Sequence, residues 1–210
     1  MLEDRSAIES VADQITLLLL LKGLQDLGYV THRLKLEKLV YFANVLGSIL
    51  GEQVTNHQFF VWKYGPFSKQ IYSDIEVLVT RGLVRATELE THDEADEKSF
   101  EYSITETGLI GVQKALADEE FKKKYDVILK SLQITAPLSS HQIKTLSYGE
   151  VDFRRAYECG RGTVIDPRHP LGNEMAILAK HVAASEFDLE LSDEEASFLY
   201  LKLIEALSVG

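Results

Sequence analysis

The chain has a single cysteine, Cys159, in 210 residues. One thiol closes no internal disulfide, which fits a reducing compartment. No apolar run is long enough to cross a membrane. The longest leucine stretch, Leu17 to Leu21, is flanked by Asp13 and Lys22, and a span needs roughly 20 apolar residues. The first residues, Met1-Leu2-Glu3-Asp4-Arg5, lack the basic start of a signal peptide. A soluble, cytoplasmic protein is therefore expected.

Recognisable reaction chemistry is also scarce. The six histidines, His32, His57, His92, His141, His169 and His181, include no helical i,i+4 pair and no cysteine at metal spacing. Gly160-Arg161-Gly162-Thr163 lacks the ending of a phosphate loop. Asp93-Glu94-Ala95-Asp96-Glu97 lacks the ligand spacing of a calcium loop. Cys159 and His169 share one Gly/Pro-rich segment and could be imagined as a thiolate–imidazole pair, but nothing else marks a nucleophile and a lone semi-buried thiol is the plainer reading. No catalytic residue, cofactor or metal is assigned, and a non-enzyme is expected.

Basic residues are outnumbered 22 to 33, giving a net charge of −11. Residues 1–86 balance at nine and nine, while 87–120 hold two basic against eleven acidic groups. Residues 121–170 lean the other way, with nine basic against five acidic, and 171–210 return to two against eight. A nucleic-acid surface needs clustered cations. The candidates are Lys122, Lys123, Lys124, Arg154, Arg155, Arg161 and Arg168, with a solvated helix face and loop as the plainer reading.

With 45% hydrophobic residues the chain can bury a sizeable core. Apolar spacing predicts a helix over 6–27, with Ile8, Val11, Ile15, Leu18 and Leu19 on its face, stopped at Gly28. A second helix spans about 34–50, with Leu36, Leu39, Val40, Ala43 and Leu46 on one face. Phe59 to Trp62 reads as a strand. Pro66 suits the first position of a third helix running to about Arg81. Leu83–Leu89 and Phe100–Ile104 alternate as a hairpin around a charged loop, and Thr105 caps a fourth helix.

Helices over 117–131, 139–147 and 153–157, an irregular loop over 158–173, a helix capped by Asn173 and ending near Ala184, and a last helix opened by the Ser192–Glu195 capping box complete the reading. Phe198, Leu199, Leu201, Leu203 and Ile204 give that last helix a broad apolar surface, to be buried on the core or used as a dimer or partner seam. The predicted fold is mostly α (α+β). It has a winged-helix-like domain over 1–116, with a two- to three-stranded wing, and a helical C-terminal extension over 117–210.

Lys35-Leu36-Glu37-Lys38-Leu39-Val40-Tyr41-Phe42-Ala43, followed about twenty residues later by Trp62-Lys63-Tyr64-Gly65-Pro66, resembles the Panacea domain, also called the SocA-like antitoxin domain. Members typically show "K-L-Q-K-L-L-Y-Y-A-Q" and then "E-A-W-K-Y-G-P-V". Here Glu37 replaces the usual Gln, and Phe67-Ser68 follows the proline. The likeness covers roughly residues 13–110. A related uncharacterised bacterial family with a Tyr-Gly-Pro phrase is the next nearest.

The resemblance implies a bacterial or phage antitoxin that contacts a toxin encoded by a neighbouring gene. Candidate contacts are Trp62, Lys63, Tyr64, Pro66, Phe67, Lys69 and Tyr72, since aromatics at a rigid corner make good anchors. The competing expectation packs Trp62 and Phe67 inward against Tyr41 and Phe42. The alternative function is a winged-helix DNA-binding transcriptional regulator, reading DNA with Ser68, Lys69, Gln70, Tyr72 and Ser73 of its third helix. Asp74, Glu76 and the acidic wing oppose that alternative. The acids of 88–97 could instead mimic a phosphate track.

Overall fold

The computed structural model describes residues 5–89, 99–165 and 170–208. The charged loop 90–98, Arg168 and His169 lie outside them. Among the described residues no helix is long and apolar enough to cross a membrane.

Helix α1 (Ala7–Asp26) starts at a reciprocal cap: the Glu9 N–H donates to Ser6 Oγ at 3.2 Å and the Ser6 N–H donates to Glu9 at 2.7 Å. Gly28, at φ +76°, ends the helix in a left-handed turn. The expected one-faced pattern holds only in part. Ile8 and Val11 are exposed, whereas all five residues Leu17 to Leu21 are buried. The centre of α1 is covered on several sides, by the third, fourth and fifth helices, so its leucines need no polar face.

Strand β1 (Thr31–His32) leads directly into α2 (Arg33–Ile49). Helix α2 is likewise central, and burial extends to Lys35, Glu37 and Lys38. Strands β2 (Phe59–Trp62) and β3 (Gly65–Phe67) form a hairpin with Trp62 opposite Gly65, leaving Lys63 and Tyr64 at its tip. Helix α3 (Lys69–Thr80) follows, burying Ile71, Ile75 and Leu78.

Pro66 therefore begins no helix. It is buried in an edge strand, where its missing N–H leaves no ladder bond unmade. The rule that suggested a helix start there applies instead at Pro170, three residues before the expected cap at Asn173.

Strands β4 (Val84–Leu89) and β5 (Ser99–Ile104) pair antiparallel, and β5 also pairs with β1, giving the sheet order β1-β5-β4. With α1, α2 and α3, this is winged-helix-like in order and strand pairing, with the β2–β3 hairpin inserted between α2 and α3. Helix α4 (Glu106–Ala115) is capped by Thr105, whose hydroxyl accepts the Gly108 N–H at 3.1 Å.

Helix α5 (Glu119–Thr135) is capped by Asp118 and runs four residues past the expected end. Its last turn stays helical because Leu132, Ile134 and Thr135 are buried. Helix α5 packs on α1 and α2. Helices α6 (Ser140–Gly149) and α7 (Val151–Glu158) come next.

The segment expected to be an irregular loop contains strand β6 (Val164–Ile165), which pairs with the outer edge of β2. Two further backbone bonds, Val61 N–H to Thr163 O and Gly162 N–H to Val61 O, both 2.9 Å, extend that pairing. Helix α8 (Pro170–Phe187) continues past Ala184, and α9 (Asp193–Ser208) opens at the expected capping box. Both pack on α2, and one apolar cluster runs from Leu17 to Ile204.

Candidate functional site

The two sequence motifs meet in space. The Lys38 side chain is fully buried, and its ammonium donates to the Glu37 carboxylate at 2.9 Å and to the Pro66 carbonyl. The other oxygen of Glu37 accepts the Ser68 N–H at 2.8 Å. Ser68 stands at the start of α3 but does not cap it with its own hydroxyl. Glu37, 31 residues away in sequence, places the negative charge a helix start favours. The ion pair thus ties the hairpin and the head of α3 to α2.

Burial raises the Glu37 carboxyl above its usual value and lowers the Lys38 ammonium below its own, and each opposes the shift of the other. Gly65 completes the lock. Its φ is +95°, and a Cβ there would sit 2.7 Å from Ser147 Oγ and 3.3 Å from Lys38 Cε.

Above this buried pair lies an aromatic face. Trp62 and Tyr64 are 50% and 46% exposed. The Trp62 and Phe67 rings are 5.8 Å apart, Phe67 and Tyr72 are 5.7 Å apart, and the Arg33 guanidinium lies 4.1 Å over the Tyr72 ring. Lys63 and Lys144 sit 5.1 and 5.6 Å from the Tyr64 ring centre. Burial and the Glu37 charge push the Tyr72 phenol well above its ordinary value, so it remains a neutral donor. His32, Arg33, Trp62, Tyr64, Phe67 and Tyr72 border a cavity of about 230 Å³ with Glu37 and Lys38 at its base.

Of the candidate contacts, Trp62, Lys63, Tyr64, Phe67 and Tyr72 come together here. Lys69 is exposed in the first turn of α3 but does not line the cavity. Pro66 is buried, so as a contact it is corrected. Trp62 does not pack against Tyr41 and Phe42 as the inward alternative supposed. Phe59 takes that place, 5.1 Å from Tyr41, because strand alternation turns Phe59 and Val61 inward and Trp62 outward. Arg33, Lys144 and the Glu37–Lys38 pair were missed as site residues; only the last two lie inside a recognisable motif.

Among the described residues the basic candidates form no single patch. Lys124 is largely buried and pairs with Glu120 at 2.8 Å, and Lys122 pairs with Glu119 at 2.6 Å. Lys123 is exposed on α5, while Arg154 and Arg155 are exposed on α7 and Arg161 in the turn before β6. Helix α7 packs on α6, α8 and β6, whereas α5 packs on α1 and α2. At the head of α3, Ser68 is buried and the carboxamide of the half-buried Gln70 accepts the Gln58 N–H at 2.8 Å. Both are corrected as exposed DNA-reading residues.

Asp74, expected near that surface, is buried. Its carboxylate meets His57 Nε2 and Arg5, both at 2.8 Å, and the Gln14 amide at 3.1 Å. Burial pushes the Asp74 carboxyl up, but the bonds from His57, Arg5 and Gln14 outweigh it and hold the carboxyl below its usual range. Asp13, His57 and Asp74 offer ligand atoms within 4.8 Å of one another. Arg5 already bridges both carboxylates, at 2.5 Å to Asp13, and supplies their counter-charge.

A second polar knot surrounds the fully buried Glu150, which accepts from Tyr41 at 2.5 Å, from Tyr200 at 3.1 Å and from the Phe153 N–H at 2.8 Å. It joins α2, α7 and α9. Cys159, expected to be semi-buried, is exposed at the end of α7. No protein-family model matches this chain, and no curated protein matches it at a significant level.

Proposed function

We propose that this chain is a protein-binding module acting as an antitoxin, or antitoxin-like inhibitor, of a toxin encoded by a neighbouring gene. The observation that carries the reading is the joining of the two Panacea-like motifs. Lys38 and Glu37 of the first hold Pro66 and Ser68 of the second, and the product is a stiff aromatic face. Trp62 and Tyr64 stand out from a hairpin whose conformation is set from below, so little order is lost when a partner covers them. Arg33, Lys63 and Lys144 surround the rings, which favours a partner segment carrying carboxylates.

The reading assigns no catalysis to the chain. It also implies a cytoplasmic protein, in keeping with the single cysteine.

The DNA-regulator alternative draws on the winged-helix strand pairing. Against it, α3 keeps Ser68, Gln70 and Asp74 engaged within the fold. Co-expression with each neighbouring gene tests the proposal. A neighbour toxic alone, tolerated beside this protein and co-purified with it supports the antitoxin reading. Specific gel shifts with the upstream region, in place of any co-purifying toxin, would favour the regulator.

A further inference from the structure

Helices α8 and α9 turn only part of their apolar surface inward. Ala183, Ala196, Tyr200, Leu201 and Ile204 are buried, but Leu178 is 51% exposed and Phe198 47%. Between the helices runs an open groove of about 690 Å³, lined by Leu178, Val182, Phe198, Leu199 and Leu203, among others. A concave groove with an almost wholly apolar lining is the usual form of a binding site.

The stretch Glu186-Phe187-Asp188-Leu189-Glu190-Leu191, from the end of α8 towards α9, alternates strictly in character. Phe187, Leu189 and Leu191 line the groove, while the interleaved Glu186, Asp188 and Glu190 are exposed. Residues 171–210 carry eight acids and two bases. Asp193 pairs with Lys180 and Glu194 with Lys130. Glu195 and Lys202 line the groove, and Glu186, Asp188 and Glu190 remain an exposed acidic stretch beside it.

We infer that this groove seats an amphipathic helix of a partner protein, with aliphatic side chains along its buried stripe and Lys or Arg on its flanks. Charge selects this occupant. A second copy of the chain would bring the same acidic surplus against itself, and like charges across an interface are costly. An anionic lipid surface would be repelled for the same reason. A cationic helix meets apolar surface along its stripe and the exposed acids Glu186, Asp188 and Glu190 where α8 passes into α9, as helix-in-groove recognition requires. The inference is independent of what the Trp62 face binds.

The test uses the full chain and two labelled helical peptides, with leucine at i, i+3, i+4 and i+7 and either lysine or glutamate elsewhere. Fluorescence anisotropy should show the lysine peptide binding at least tenfold more tightly than the glutamate peptide. Leu178→Gln with Phe198→Gln should weaken the lysine peptide by roughly tenfold. Glu186→Lys with Glu190→Lys, both exposed sites, should weaken it several-fold without changing helicity. This second variant keeps the test valid if the first fails to fold.

Equal binding of both peptides would overturn the inference. So would lysine-peptide binding untouched by the glutamine changes, which would mean charge attraction alone. Dimers of the chain that dissociate in the glutamine variant would assign the groove to a second copy and contradict it, as would binding to anionic lipid vesicles lost in that variant.

Discussion

Lys38, on α2, holds the carbonyl of Pro66, on β3, with a fully buried ammonium whose charge is met by Glu37. The same carboxylate holds the N–H of Ser68. Two adjacent residues of one helix thereby set both the corner of the hairpin and the head of the next helix.

Removing one charge of this pair should be worse than removing both. Lys38→Met leaves a buried carboxylate without its cation and should cost roughly 3–5 kcal/mol in urea denaturation. Glu37→Gln combined with Lys38→Met should recover a clear part of that loss. A double variant no more stable than Lys38→Met alone would mean the two residues are not coupled.

Gly65→Ala meets two separate obstacles, the left-handed φ and the Ser147 hydroxyl. Thermal unfolding should show a loss of at least about 1–3 kcal/mol from the backbone alone. Adding Ser147→Ala should restore some stability but not all of it. Full restoration would assign the whole effect to the collision.

The Asp74 carboxyl lies below its ordinary value of 3.8 in the folded state. The unfolded chain therefore binds more protons between those two values. The contribution of Asp74 is complete above pH 3.8 and is lost as pH falls through the lower folded value. Asp74→Asn should be less stable at pH 6 and should lose part of the decline in stability below pH 4. An unchanged acid limb in denaturation curves would refute the assignment.

Tyr41→Phe takes a hydroxyl donor from the buried Glu150. A loss of about 1–3 kcal/mol is expected, because the carboxylate keeps only the Tyr200 and Phe153 donors. Tyr200→Phe, removing the longer bond, should cost less in the same denaturation series.

Much of the fold was legible because it rests on local signals. The Ser192 box, the Thr105 cap, the stop at Gly28 and the alternation of β4 and β5 each act within a few residues. What escaped depends on distant partners. Glu37 and Lys38 carry no local sign that they are buried, and only their mutual pairing lets α2 sink into the core. Pro66 looked like a helix start because nothing local shows that Glu37 serves that role for Ser68. Lys144 reaches Tyr64 across 80 residues, a distance periodicity cannot see. Lys63 and Tyr64 are the expected outward pair and lie at the hairpin tip, whereas the alternation that turns Trp62 outward beside them becomes plain only once Phe59 and Val61 are seen to be buried.

The decisive measurement is co-expression with each neighbouring gene, scoring toxicity, growth rescue and co-purification for the native chain against Trp62→Ala/Tyr64→Ala. The account predicts that one neighbour is toxic alone and is rescued by the native chain. Both side chains are half exposed, so the variant should fold with nearly the native melting temperature. It should nevertheless lose rescue and bind the toxin at least roughly tenfold more weakly. Full rescue and undiminished co-purification by a folded variant would show that the aromatic face is not where the partner binds.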